Sequence, residues 1–292
     1  MSRFKYSVNT NSLSKYKNNE IIEMARKLKI EGIEWGLPAY EEAAQSVKEM
    51  VKMTADAGLE IAGFINGPKL WKRDDMRRYA DLLANMGGIS LRVAHPWIAW
   101  DYSESLHLKE SWQEIFKLAR DAMPEVVELS KQSGIRFVVE MHSGALTASA
   151  LAAVKLFEGV DPRHVGVIYD PANTILEGSM RPRSEVEVLG PYMAYVHAKN
   201  VMFNFTGKFH EQPVCRARWE FKVVNLPCGI LDWLEVFFAL KISGFRGWIS
   251  SEEYFKDGND QFEQLRDGIA FLKECEKHAP DRSVEPYLTL NK

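Results

Sequence analysis

The sequence predicts an α/β protein folded as a single-domain (β/α)8 barrel. Three observations carry the expectation. Short runs rich in Val, Ile and aromatic residues alternate with longer helical patterns along the chain. Eight such runs are found. The chain of 292 residues also matches the size of a barrel of about 250 residues with insertions.

The eight predicted strands are Phe4 to Asn9, Gly32 to Trp35, Leu59 to Ile65, Ile89 to Ala94, Ile135 to Met141, Val165 to Tyr169, Met193 to Ala198 and Trp248 to Ser251. Their interiors show little polar alternation, as expected of parallel strands covered by helices on one side and packed inside a barrel on the other. The helices between them declare themselves by period. Ala43, Val47, Met50, Val51 and Thr54 share one face, and Gly58 follows as a stop. Ser111 and Glu114 read as a capping box ahead of Ile115, Leu118 and Ala119, and Pro124 is expected to kink or restart that helix. Phe262, Leu265, Ile269 and Leu272 form a last apolar stripe for the outside of the sheet. A doubly wound open sheet is the competing architecture, but it often carries a glycine-rich turn after its first strand, and Asn9-Thr10-Asn11 is not one. Two segments exceed what a minimal barrel needs, about 95–110 and 200–229. Both follow a strand, so both are expected as long loops over the face where barrels keep their sites.

Composition narrows the partners. Hydrophobic residues make up 46% and charged residues 26%, an ordinary globular mixture. With 37 Lys plus Arg against 40 Asp plus Glu, the net charge of −3 supplies no positive field for a phosphate backbone, so nucleic acid is not expected as a partner. Cys215, Cys228 and Cys275 are few, odd in number and outside any CxxC spacing, which fits free thiols in a reducing, cytoplasmic setting. The opening MSRFKYSVNT has no apolar run of about 7–15 residues, and no stretch reaches the ~18 apolar residues of a span. Export and membrane insertion are therefore not expected.

The ends of the last four strands carry the chemistry. IRFVVEMH ends at Glu140 with His142 beyond it, VGVIYDPAN at Asp170, YVHAKN carries His197, and GWISSEEYF ends at Glu252. Val138 with Glu140, Tyr195 with His197, and Ser250 with Glu252 share strand parity, whereas Glu253 points away. Taken singly, each acid has a bland alternative as a helix cap or salt-bridge partner. His197 alone has the alternative of a hydrogen-bonded core histidine. Together they are harder to dismiss, because three buried carboxylates without a cation would cost several kcal/mol. Three oxygens and one imidazole select one divalent ion, Mn²⁺ first, with Co²⁺, Mg²⁺, Fe²⁺ or Zn²⁺ as alternatives.

GIEWG at Gly32, EMHSG, YDPAN, VHAKN and GWISSEE, in this order along nearly the whole chain, resemble the sugar phosphate isomerase/epimerase family of xylose-isomerase-like TIM barrels. The resemblance implies Glu140, Asp170, His197 and Glu252 as metal ligands. It further implies Glu140 and Glu252 as the acid–base pair on opposite faces of a bound sugar, moving a proton beside a carbonyl through an enediolate to give an isomer or epimer. The chain departs from the related ketohexose 3-epimerases at Asn173, where those enzymes carry a His. Asn can hydrogen-bond a hydroxyl but cannot shuttle a proton.

Other residues are expected around the mouth. His142, Asn173, Lys199, Asn66 and His95 follow strands and are candidates for substrate hydroxyls or a carboxylate, with loop capping as the alternative. Trp97 and Trp100 are favoured over Trp35 and Trp219 as a flat wall for a sugar ring, because they sit in a long loop; core packing is the default use of Trp. Arg216 and Arg218 are candidates for an anion clamp, or else solvated loop charges. The resulting expectation is a metal-dependent sugar isomerase/epimerase. The alternatives are a lyase acting on an inosose or 3-keto-glycoside, a silent carbohydrate-binding barrel, or phosphodiester hydrolysis, which the net charge disfavours. The sequence leaves the oligomeric state open, a homo-oligomer included.

Overall fold

The computed structural model describes residues 2–84, 86, 89–94, 96–98, 109–178, 180–210, 216–254 and 260–281, with only the backbone of His210 and Arg216. The predicted site residues His95 and Trp100 lie outside the described residues, as does most of the expected loop at 95–110. Of Arg216, only the strand position is described.

The elements in chain order are β1 (Lys5–Asn9), α1 (Asn18–Leu28), β2 (Gly32–Gly36), α2 (Tyr40–Asp56), β3 (Glu60–Ile65), α3 (Arg73–Leu83), β4 (Ser90–Arg92), α4 (Trp112–Ser133), β5 (Arg136–Glu140) and α5 (Ala150–Phe157). There follow β6 (Val165–Tyr169), α6 (Pro171–Leu176), α7 (Pro182–Leu189), β7 (Met193–Ala198), β8 (Asn200–His210), β9 (Arg216–Val224), α8 (Trp233–Ile242), β10 (Trp248–Ser251) and α9 (Gln261–His278). Eight strands close a barrel in the order β1-β10-β7-β6-β5-β4-β3-β2, each pair parallel, while β8 and β9 form a separate antiparallel pair.

The local signals act as expected. Ser111 Oγ accepts from Glu114 N and the Glu114 carboxylate accepts from Ser111 N, so the capping box starts α4. Gly58, at φ 71°, takes the left-handed turn that follows α2 and that a β-carbon would strain. In α9, Leu265, Ile269 and Leu272 are at most 2% exposed, worth about 2 kcal/mol each in apolar burial. Of the two outcomes expected at Pro124, the restart does not occur: α4 runs through it as one helix. Its ring lies on the exposed side, so the missing N–H costs one solvent-side hydrogen bond rather than core packing.

The segment after β7 differs too. It is not a loop but a hairpin arm. Its strands follow period-2 alternation, Val201, Phe203 and Phe205 facing Val223, Phe221 and Trp219 in register.

Two cores result. The larger lies between strands and helices, and a small one of Val138, Ile168 and Tyr195 fills the barrel interior. The polar cluster stands one step further along the same strands, toward their C-terminal ends.

Candidate metal centre

Strand parity builds the site. On β5, β6 and β7 the inward residues Val138, Ile168 and Tyr195 are each followed two positions on by Glu140, Asp170 and His197. Glu252 follows Ser250 past the end of β10 in the same way. All four are buried, at most 1% exposed, and one donor atom from each lies within 4.8 Å of every other. Donors about 2.0–2.5 Å from a shared cation lie at most ~5 Å apart, so the set has the dimensions of one coordination sphere.

Each side chain is held from behind. His197 Nε2 lies 2.9 Å from Glu34 Oε1, while Nδ1 lies 3.2 Å from Glu140 Oε1 and 3.4 Å from Glu252 Oε2. Glu34, 0% exposed, also accepts from Tyr195 Oη at 2.6 Å and Ser250 Oγ at 2.7 Å. Glu140 is paired with the Arg92 guanidinium. Asn173 Nδ2 donates to Asp170 Oδ2 at 2.9 Å and to Glu140 Oε1 and the Met141 carbonyl at 3.2 Å each. Asp170 also caps α6, Oδ1 accepting from Asn173 N at 3.0 Å, so the capping role and membership of the cluster belong to one residue. Glu252 accepts from Asn9 Nδ2 at 3.0 Å and Tyr254 Oη at 3.2 Å. Lys199 Nζ lies 2.7 Å from Asp170 Oδ2 and 2.8 Å from Glu252 Oε2.

The electrostatics follow from burial set against these partners. Burial alone would raise the Glu140 carboxyl, but Arg92, His197 and Lys199 outweigh it and hold the pKa well below the usual range. Glu252 is likewise pushed up by burial and drawn down further by Lys199 and His197. Asp170 is pushed up to about 7 by burial, against Lys199 and with help from Glu140 and Glu252. For His197, burial disfavours the charged ring, yet Glu34, Glu252 and Glu140 push its pKa well up. Glu34, Glu140, Asp170 and Glu252 bring four negative charges, and Arg92 and Lys199 bring two positive ones. With His197 protonated, the direction its pKa takes, the negative charges exceed the positive ones by one; with the ring neutral, as cation binding requires, they exceed them by two. A carboxyl kept near neutrality beside a lysine reports that surplus, and a divalent cation is the charge that relieves it.

A sequence profile of the xylose isomerase-like TIM barrel family matches residues 22–275. The chain belongs to that family. Its curated relative inosose dehydratase from Geobacillus thermodenitrificans (strain NG80-2) is 25% identical over 145 residues, 48% of this chain and 47% of that protein. The match thus spans about half the length of the curated relative. Among solved structures, apo 3-keto-D-glucoside 4-epimerase from E. coli superposes with a TM-score of 0.70 at 14% identity, covering 93% of this chain and 100% of that one. A xylose isomerase-like TIM barrel protein from Mycobacterium smegmatis in complex with magnesium superposes with a TM-score of 0.67 at 16% identity, covering 96% and 99%. These likenesses show the fold, and the family's members include epimerases, isomerases and dehydratases.

Of the family site predicted from sequence, Glu140, Asp170, His197 and Glu252 converge, and Asn173 and Lys199 join them. Asn66 sits at the end of β3 with φ 69°, exchanging hydrogen bonds with Asn11 and receiving one from Arg92 at 3.4 Å. His142 and Trp97 pack on each other at the mouth, ring centroids 5.7 Å apart, and His142 Nδ1 lies 2.8 Å from the Ser143 carbonyl. Trp35 faces the helices: it is 0% exposed and donates to Thr54 Oγ1 at 3.0 Å, so it belongs to the core and not to a ring wall. Trp219 and Arg218 lie on the exposed arm. Glu34, Arg92, Asn9 and Tyr254 were not expected. A lone acid inside Gly-Ile-Glu-Trp-Gly, by the strand-end rule used for the later strands, was the available signal for Glu34.

Proposed function

We propose that the chain is a divalent-metal-dependent enzyme that isomerises or epimerises a small-molecule sugar or keto-sugar. The convergence of Glu140, Asp170, His197 and Glu252 into one buried set within 4.8 Å carries the reading. Their hard oxygens and single imidazole suit Mn²⁺ first, then Co²⁺, Mg²⁺, Fe²⁺ or Zn²⁺. When bound, such an ion supplies Lewis acidity that polarises a substrate carbonyl and acidifies the neighbouring C–H.

The chain's own residues do the rest. Glu140, fixed by Arg92 and Asn173, and Glu252, fixed by Asn9 and Tyr254, are the proton-transfer pair, both kept ionised by nearby cations. One carboxylate removes the proton beside the carbonyl and leaves the substrate charge as an enediolate; that carboxyl, now protonated, can return the proton to the neighbouring carbon to give the isomer, whereas delivery to the opposite face requires the second carboxylate first to take up a proton from solvent. The Lys199 ammonium, 5% exposed, places a fixed positive charge where an oxyanion develops. His142, Asn66 and Trp97, with His95, Trp100 and Arg216, are proposed to contact the substrate. Asn173 acts by holding two carboxylates.

A second reading is a lyase. The same abstraction, followed by departure of a β-hydroxyl as water, is favoured by the inosose dehydratase relative and by Asn173 standing where the resembling epimerases carry a His. Candidate ketoses, inososes and 3-keto-glycosides incubated in D₂O with Mn²⁺ separate the two. Deuterium at carbon without loss of water supports isomerisation or epimerisation, and loss of water supports the lyase. Thermal stabilisation by sugars without either change would leave a carbohydrate-binding barrel. Elemental analysis completes the test: Glu140→Gln and Asp170→Asn should each lose metal relative to the wild type.

A further inference from the structure

The β8–β9 arm begins directly after Lys199 and carries an aromatic face whose rings are about half exposed. Phe203, Phe205, Phe209, Trp219 and Phe221 are 44, 45, 56, 61 and 43% exposed. Phe203 pairs with Phe221 and Phe205 with Trp219 in register, so these four side chains share one side of the ribbon. Phe209 joins them across a register shift, its ring 5.6 Å from that of Phe205, while Phe205 and Trp219 are 5.5 Å apart. The opposite side carries the charges, with Lys222 opposite Met202, Glu220 opposite Asn204, and Arg218 near Thr206.

We propose that this aromatic face is the surface through which two copies of the chain form a dimer. A two-stranded ribbon alone is marginally stable, and an apolar patch of this size on a protein surface commonly marks an interaction site. With about 200 Å² per aromatic side chain and roughly half of each open, one arm presents about 500 Å². Two such faces packed about a two-fold axis bury about 1,000 Å² of aromatic surface, near the minimum of about 1,000 Å² that a specific interface must clear. The partner is apolar because Arg218 and Lys222, which alternate with Trp219 and Phe221 along the strand, sit on the other side. A platform for single-stranded nucleic acid interleaves rings with Lys and Arg, and here rings and charges are segregated. The foot of the arm is fixed: Asn200 Nδ2 donates to the Leu226 and Leu231 carbonyls at 2.7 and 3.1 Å, and its Oδ1 accepts from Leu231 N at 3.0 Å. The face is therefore presented in a defined direction, which an isologous contact requires.

The test is sedimentation of the full chain over a range of concentrations, with the double variant Phe205→Ser/Trp219→Ser and the opposite-face control Lys222→Ser. The wild type and the control should sediment as dimers, and the double variant should dissociate at concentrations about 100-fold higher than the wild type does. Hydrogen exchange of the unsubstituted protein supplies a readout independent of variant folding: amides of 203–209 and 217–221 should become more protected as concentration rises. A wild type monomeric throughout overturns the proposal, as does a double variant that dimerises as tightly as the wild type. So does wild-type binding to anionic vesicles or oligo-dT that the double substitution abolishes, since the face would then serve another occupant.

Discussion

His197 is gripped at both ring nitrogens, Nε2 lying 2.9 Å from Glu34 Oε1 and Nδ1 3.2 Å from Glu140 Oε1. A carboxylate on Nε2 keeps the proton there, turns the ring and makes Nδ1 a better donor toward the cluster. Glu34→Gln keeps an acceptor for the ring, and Ser250 can rotate to accept from the new amide, so the fold should survive. The variant should bind Mn²⁺ about 10- to 100-fold more weakly. Titration calorimetry measures this, and unchanged affinity would show that Glu34 does not tune the imidazole.

Lys199 and a divalent ion would compete for the same oxygens of Asp170 and Glu252, which the ammonium holds at 2.7 and 2.8 Å. Lys199→Met removes one of the cluster's two permanent cations and should lower metal-free stability by about 3–5 kcal/mol, the cost of stranding buried charge. Saturating Mn²⁺ should recover most of that loss. Calorimetric unfolding with chelator and with Mn²⁺ reads both values. A deficit that stays the same in metal would mean that the lysine and the ion do not share these oxygens.

The strand-end ligands were legible because β5, β6 and β7 are short, largely apolar runs that end at or next to one ionisable residue, and on β10 parity alone separates Glu252 from Glu253. β6, β7 and β10 have the predicted bounds. Glu34 escaped because its strand reads as apolar core: Ile33 and Trp35 on either side are 0% exposed, and Glu34 earns its burial from Tyr195, Ser250 and His197, partners about 160 to 220 residues away that no local pattern reveals. Arg92 lies in a three-residue strand, too short to show a period. The arm was read as a loop by its length, although Phe203, Phe205, Trp219 and Phe221 already alternate; what was missing was any sign that both strands would leave the barrel together.

Pro124 gives a prediction about stability alone. It stands exposed inside α4, where it cannot donate to the Arg120 carbonyl one turn earlier. Pro124→Ala restores that bond and removes a helix penalty of up to about 3 kcal/mol, offset by about 1 kcal/mol from the freer unfolded chain. The net expectation is stabilisation by about 1–2 kcal/mol in urea unfolding. A neutral or lower midpoint would show that α4 is already bent to accommodate the ring and that the barrel depends on that bend.

Glu185 ties stability to pH away from the Glu140–Asp170–His197–Glu252 cluster. It is 1% exposed, accepts from Tyr169 Oη at 2.8 Å, and its Oε1 has no hydrogen-bond partner among the described residues. Burial pushes its carboxyl up to about 7 from 4.5, against the hydrogen bonds from Tyr169 and Thr174. Between those values the folded protein keeps a proton that the unfolded chain has released, so this group's contribution to stability falls as pH rises through the window and levels off above about 7. The loss amounts to about 3 kcal/mol over that span. Glu185→Gln stays neutral throughout, retains an acceptor for Tyr169 and removes this dependence. It should match the wild type near pH 4.5 and exceed it in denaturant midpoint at pH 8, and parallel stability curves for the two proteins across this range would show that Glu185 is ionised in the folded state.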